Sequence, residues 1–142
     1  MITRRIRFMK INSVVLLFLL TPSLFAQTTK IDSLQKLLKN AVSDTVRVNL
    51  MADIGIEYWA SDPEKTIVFS QKALDSARKI KYIRGEAKSY QGIGIYHWQK
   101  NDYQKALISY EQSKKLYEGI GDRGGAARSI SNIGMIYGEQ GN

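Results

Sequence analysis

Ala87-Lys88-Ser89-Tyr90-Gln91-Gly92-Ile93-Gly94-Ile95-Tyr96 and Ala127-Arg128-Ser129-Ile130-Ser131-Asn132-Ile133-Gly134-Met135-Ile136 are two versions of one segment, 40 residues apart at every position. The match extends upstream, with Gly85-Glu86 standing against Gly125-Ala126. A third version precedes them: Asp53-Ile54-Gly55-Ile56 matches Gly92-Ile93-Gly94-Ile95 at a spacing of 39. Beyond the following turn, Lys65-Thr66-Ile67 matches Lys105-Ala106-Leu107 at 40 again. One residue is therefore missing from the first turn, around Ser61-Asp62, where a loop absorbs the change. A unit recurring at about 40 residues marks a solenoid, in which each unit buries its apolar face against the next.

The spacing of apolar residues inside the units is helical. Five segments are predicted, at about 44–60, 63–81, 83–100, 103–117 and 123–139, after a shorter helix around Ile31, Leu34, Leu37 and Leu38. Asp32 or Ser33 is expected to cap that first helix and Asn40 to end it. Asp62-Pro63 is a strong restart, because the carboxylate accepts from free amides and proline fits the first helical position. Asn101-Asp102 and Gly121-Asp122 punctuate the later turns. The inward residues are expected to be Val46, Leu50, Met51, Ile54, Tyr58 and Trp59 in the first segment, then Ile67, Ser70, Ala73, Leu74 and Ala77. Ala87, Tyr90, Ile93, Gly94 and Trp98 follow, then Ala106, Leu107, Tyr110, Ser113 and Leu116 or Tyr117, and last Ala127, Ile130, Ile133, Gly134 and Tyr137. Trp98 and Tyr90 are the first choices for buried rings. Short turns between long helices imply antiparallel neighbours.

Gly55, Gly94 and Gly134 recur at one mid-helix position, where glycine costs up to about 1 kcal/mol against alanine. Their recurrence beside an isoleucine implies close backbone approach, with the small residues Thr66 and Ala106 opening the partner helix. A phosphate-cradling loop would need a preceding strand, and none is apparent.

The first 26 residues differ from the rest. Arg4, Arg5, Arg7 and Lys10 precede an apolar stretch over 11–25, and Ala26 closes it before polar Gln27. This is the pattern of a cleaved signal peptide, and the apolar run is shorter than the roughly 20 residues needed to span a bilayer. An uncleaved anchor and a buried helix of the fold are the alternatives. Four of the 21 Lys and Arg lie in this leader with none of the 13 acids, so residues 27–142 carry 17 against 13, or +4. That is ordinary solubility charge, with no clustered basic face for nucleic acid. There is no cysteine, which excludes disulfides, thiolate metal sites and thiol catalysis.

The repeated positions resemble the tetratricopeptide repeat family. The middle unit carries the resemblance best: Tyr90 at the first bulky position of helix A, Ile93-Gly94 as the central pair, and Ala106 and Tyr110 on helix B. Ser113 stands where a second alanine is usual. The third unit keeps Ile133, Gly134 and Tyr137, and the first keeps Ile54, Gly55 and Tyr58, followed by Thr66, Ser70 and Ala73. His97 departs from the pattern, occupying the place of Tyr58 and Tyr137. The spacing is also longer than the 34 of the standard unit. The resemblance implies an all-α superhelical solenoid of antiparallel helix pairs. It would follow a signal peptide at 1–26 and a lead-in with a short capping helix at 27–43. Its units would lie at about 44–82, 83–122 and 123–142, the last lacking its second helix. It is also similar to the N-terminal region of periplasmic repeat sensors, which precede a histidine kinase, adenylate cyclase or DNA-binding output domain.

In this family helix A lines the concave face. Asp53, Glu57, Gln91, Ile95, His97 and Asn132 are therefore the expected groove residues. His97 is the only histidine. No second histidine shares a metal with it, and no carboxylate pair demands acid–base work. No cofactor is expected, and the chain is read as a non-enzyme. The expectation is an exported, periplasmic module that binds a protein or peptide, with downstream helices of the same chain as a further partner. It would be tethered to the membrane only by an uncleaved leader or a later segment. The alternatives are the sensor end of a larger signalling protein and a purely structural scaffold.

Overall fold

A computed structural model describes residues 29–141. The expected leader and its cut site lie outside the described residues. Helix α1 occupies residues 29–39. It is followed by α2 (Asp44–Glu57), which runs on as a 3-10 turn (Tyr58–Ala60), then α3 (Pro63–Lys79), α4 (Ile83–Gln99), α5 (Tyr103–Gly119) and α6 (Arg123–Glu139). From α2 onward each helix packs on the next, and α2–α4 and α4–α6 also touch. The fold is thus all-α and solenoid-like, with α2, α4 and α6 in one layer and α3 and α5 behind them. No helix among the described residues is long and apolar enough to cross a membrane.

The turns show the repeat most plainly. At the end of α3 the Tyr82 amide donates to the Ala77 carbonyl at 2.8 Å and the Lys81 amide to Arg78. Asp102 to His97 and Asn101 to Trp98 reproduce that pair of bonds, and so do Asp122 to Tyr117 and Gly121 to Glu118. Each is a Schellman closure built on a left-handed residue. Lys81 (φ 56°) and Gly121 (φ 70°) occupy equivalent positions, as do Asn101 (φ 58°) and Gly141 (φ 76°). The first turn has no left-handed residue, and Ser61 and Asp62 both donate to the Tyr58 carbonyl instead. The residue missing from the 39-residue spacing is the left-handed one.

Caps restart the later helices. Asp62, Asp102 and Asp122 accept from the amides of Lys65, Lys105 and Gly125. Asp32 and Ser33 do not cap α1, because the chain is already helical at residue 29 and the Ser33 hydroxyl donates back to the Thr29 carbonyl. Asn40 does close α1, its side-chain amide donating to the Lys36 carbonyl.

Small residues let the layers approach. A Cβ on Gly55 would stand 2.7 Å from Ser70 Oγ, and one on Gly94 would stand 2.5 Å from the Tyr110 ring. Tyr110, Tyr117, Ile54, Ile136 and Val48 are the large side chains that are fully buried. Tyr110 packs with Ala106 and Ile136, and Tyr117 with Ala87 and Ala126. Tyr90 and Trp98 are only half-buried, contrary to the expectation from spacing. Tyr90 lies beside Arg78, whose guanidinium donates to its hydroxyl at 2.6 Å, and Trp98 lies at the edge of the Tyr110 cluster. Val46 and Trp59 are exposed, and α2 buries Val48, Ala52, Ile54 and Gly55 instead.

Serines fill the remaining interior. The Gln91 amide donates to Ser129 Oγ, Ser129 to Ser113 Oγ, and Ser113 to the Ala87 carbonyl, at 3.2, 2.9 and 2.8 Å. This chain joins α4, α6 and α5, and each member satisfies the next, which removes most of the cost of burying a hydroxyl. Ser113 therefore stands where alanine was expected because it has a carbonyl to reach.

The face of α6 is the main departure. Gly125, Ala126, Ser129 and Ile136 are its buried residues. Ile130 and Tyr137, expected to face inward, are 52% and 46% exposed, Ala127 is exposed too, and a Cβ added to Gly134 would meet nothing within 4 Å. Ile130, Tyr137 and Gly134 are the equivalents of Tyr90, His97 and Gly94 on α4, where Tyr110 of α5 meets Gly94 and the start of α5 faces His97. Helix A has two apolar faces, and only the one toward the preceding helix is covered here.

Candidate functional site

Where α2, α4 and α6 lie side by side, their shared face encloses a hollow of about 560 Å³. Side chains one turn apart on each helix line it: Asp53 and Ile56 from α2, Gln91 and Ile95 from α4, Arg128 and Asn132 from α6. Of the groove residues expected from sequence, Asp53, Gln91, Ile95 and Asn132 are brought together.

Glu57 and His97 are not part of the hollow. Glu57 turns toward α1 and pairs with Lys30 at 2.6 Å. Its carboxylate raises the Lys30 ammonium above its usual pKa, by hydrogen bonding first and charge second. His97 sets its ring edge against Tyr96, with centroids 5.3 Å apart. It faces the start of α5, where burial lowers its pKa, with Asp102 opposing and Lys105 adding to that shift.

Five lining residues were missed by sequence reasoning: Ile56, Lys88, Ala127, Arg128 and Ser131. Lys88 pairs with Asp53 at 2.6 Å across the α2–α4 boundary. Arg128 lies over the Tyr117 ring, its guanidinium carbon 5.9 Å from the centroid. Ile56 supplies apolar wall beside Ile95. The signal was available, because Lys88, Gln91 and Ile95 fall at i, i+3 and i+7 on one helical face.

Gln91 is 5% exposed, and its amide is committed to Ser129 Oγ and the Gly125 carbonyl. It anchors the floor of the hollow more than it reaches into it. The arrangement offers apolar wall, a neutralised ion pair and one arginine held by an aromatic face. Among the described residues no group of three or more His, Cys, Asp or Glu side chains is placed to hold a metal ion.

The fold and this face define an all-helical, solenoid-like chain with a concave lining. No family model, curated protein or solved structure matches it.

Proposed function

We propose that this chain is a non-catalytic binding module of tetratricopeptide type, exported to the periplasm, whose α2–α4–α6 face takes a peptide or protein segment. One observation carries the reading: the hollow spans three alternate helices, α2, α4 and α6, and combines Ile56 and Ile95 with charged groups at its rim. Apolar pockets with a few polar anchors suit peptide recognition, because they reward side-chain burial while fixing register. Peptides selected from a displayed random library against the full chain test it. Fluorescence anisotropy on the selected peptides should show that Ile95→Glu and Asn132→Ala each weaken binding about tenfold or more, on the order of the 1–2 kcal/mol that a buried contact contributes. Selected peptides indifferent to both substitutions would remove the assignment.

A second reading makes the stack the input region of a larger signalling protein and continues it into further helices. The open face of α6 favours it, since Gly134 and Tyr137 repeat the positions of Gly94 and His97, which face α5 on α4. Expression of a longer natural chain would show these residues buried if that reading holds.

A further inference from the structure

The edge of the stack where the α2–α3 and α4–α5 turns meet the end of α6 carries a second hollow, of about 660 Å³, away from the α2–α4–α6 face. Its walls are aromatic. Trp59 and Trp98 stand with ring centroids 6.4 Å apart and planes inclined at 42°, and Tyr103 adds a third ring. Only one residue lining this hollow is charged, and it is an acid, Glu139. The Trp98 indole N–H donates to Glu139 Oε2 at 2.9 Å, which fixes the carboxylate beside the rings. No lysine or arginine among the described residues is paired with Glu139, while the nearby Lys100 is engaged by Glu64 at 2.8 Å. Gln99 adds an enclosed side-chain oxygen without a hydrogen-bond partner, its amide nitrogen being given to the Trp59 carbonyl.

We infer that this hollow, walled by Trp59, Trp98 and Tyr103 and closed by Glu139, binds an alkylammonium group. Aromatic faces carry negative quadrupole and attract a cation within about 6 Å, most strongly at tryptophan. A carboxylate fixed at the rim adds charge of the same sign, so an anion is repelled. A hard metal ion needs six or more oxygens, and a single carboxylate does not supply them. The two tryptophan planes are inclined at 42°, so they offer no parallel pair of faces, which a flat guanidinium prefers and a rounded, methyl-clad cation does not need. The charge of Glu139 also reaches Tyr103, whose phenol is held above its usual pKa by burial and by that carboxylate.

The ammonium has two possible sources, a free quaternary compound and a lysine-type side chain of a partner chain, and the test separates them. Trp59 and Trp98 are the two tryptophans of the sequence, so two indole N–H signals in a proton–nitrogen spectrum of the full chain report on the site directly. Tetramethylammonium chloride, choline chloride and N-acetyl-lysine amide are titrated in turn, against sodium chloride at equal ionic strength. The expected result is a saturable shift of both signals with tetramethylammonium. Trp59→Ala and Glu139→Gln should each weaken it about tenfold, while the melting temperature shows both variants folded; the glutamine still accepts from the Trp98 indole. Saturation by choline but not by the lysine amide assigns a free quaternary ligand, and saturation by the lysine amide assigns a partner side chain. Shifts that track ionic strength alone, or binding unchanged in both variants, overturn the inference.

Discussion

Gly94 and Tyr110 meet so closely that a Cβ on the glycine would stand 2.5 Å from the tyrosine ring. The equivalent Gly134 meets nothing within 4 Å. One substitution should therefore act in opposite directions at two equivalent positions. Gly94→Ala forces the buried ring to move, and overpacking of that kind costs about 1–3 kcal/mol, more than the roughly 1 kcal/mol gained in helix propensity. Gly134→Ala collects only the gain and should stabilise by up to about 1 kcal/mol. Urea midpoints of the two variants against the parent chain decide it, and a shift of equal sign in both would remove the close-approach explanation.

Lys81 holds φ at 56° where its counterpart one unit later is Gly121. A side chain in the left-handed region costs on the order of 1 kcal/mol, and glycine adopts it freely. Lys81→Gly should raise stability by somewhat less than that, since glycine also loosens the unfolded chain. Thermal unfolding of the single variant measures it. The matching control is Gly121→Lys, which should lower the midpoint.

Much of this architecture is legible in the sequence because its punctuation is chemical. Asp62-Pro63, Asn101-Asp102 and Gly121-Asp122 place the turns, since proline, left-handed residues and capping carboxylates have few other uses in such positions. The faces were harder to read. Ser113 and Ser129 count as polar in any periodicity, yet both are fully buried because each reaches an acceptor inside the stack. Ile130 and Tyr137 look like core residues, yet both are exposed, because no described helix packs on that face of α6. The groove was partly legible for the same reason: the spacing of Gln91 and Ile95 defines a helical face, but which face lines a hollow depends on the neighbouring helices.

Tyr110 is fully buried, and its hydroxyl has no hydrogen-bond partner. Burial pushes its ionisation well above the usual phenol range, with the Glu139 charge adding to the effect. An unsatisfied buried hydroxyl costs about 1–3 kcal/mol, and phenylalanine keeps the ring against Gly94 and Ile136 without it. Tyr110→Phe should therefore stabilise the fold, by about 1 kcal/mol. A loss of stability in urea would show that the hydroxyl has a partner, such as an ordered water.

His97 should make stability fall in mildly acidic solution. Burial is the largest influence on its ring and lowers its pKa in the folded chain, against the weaker pull of Asp102. The unfolded chain takes up the proton first, as pH falls through about 6.5, so it binds more protons than the folded one from there downward. Stability is undiminished above that pH, declines below it, and stops declining once the folded ring is protonated too. Asp62 and Asp102 act in a separate window. Hydrogen bonds from Lys65 and Lys105 lower their pKa values, so what they contribute is present above about pH 4 and is lost only in stronger acid. Urea midpoints at pH 7.5 and 5.5 isolate the histidine, which is the only one in the chain. His97→Tyr, which restores the residue found at Tyr58 and Tyr137, should abolish the difference between the two pH values. A difference that persists in the variant would assign the loss to another group.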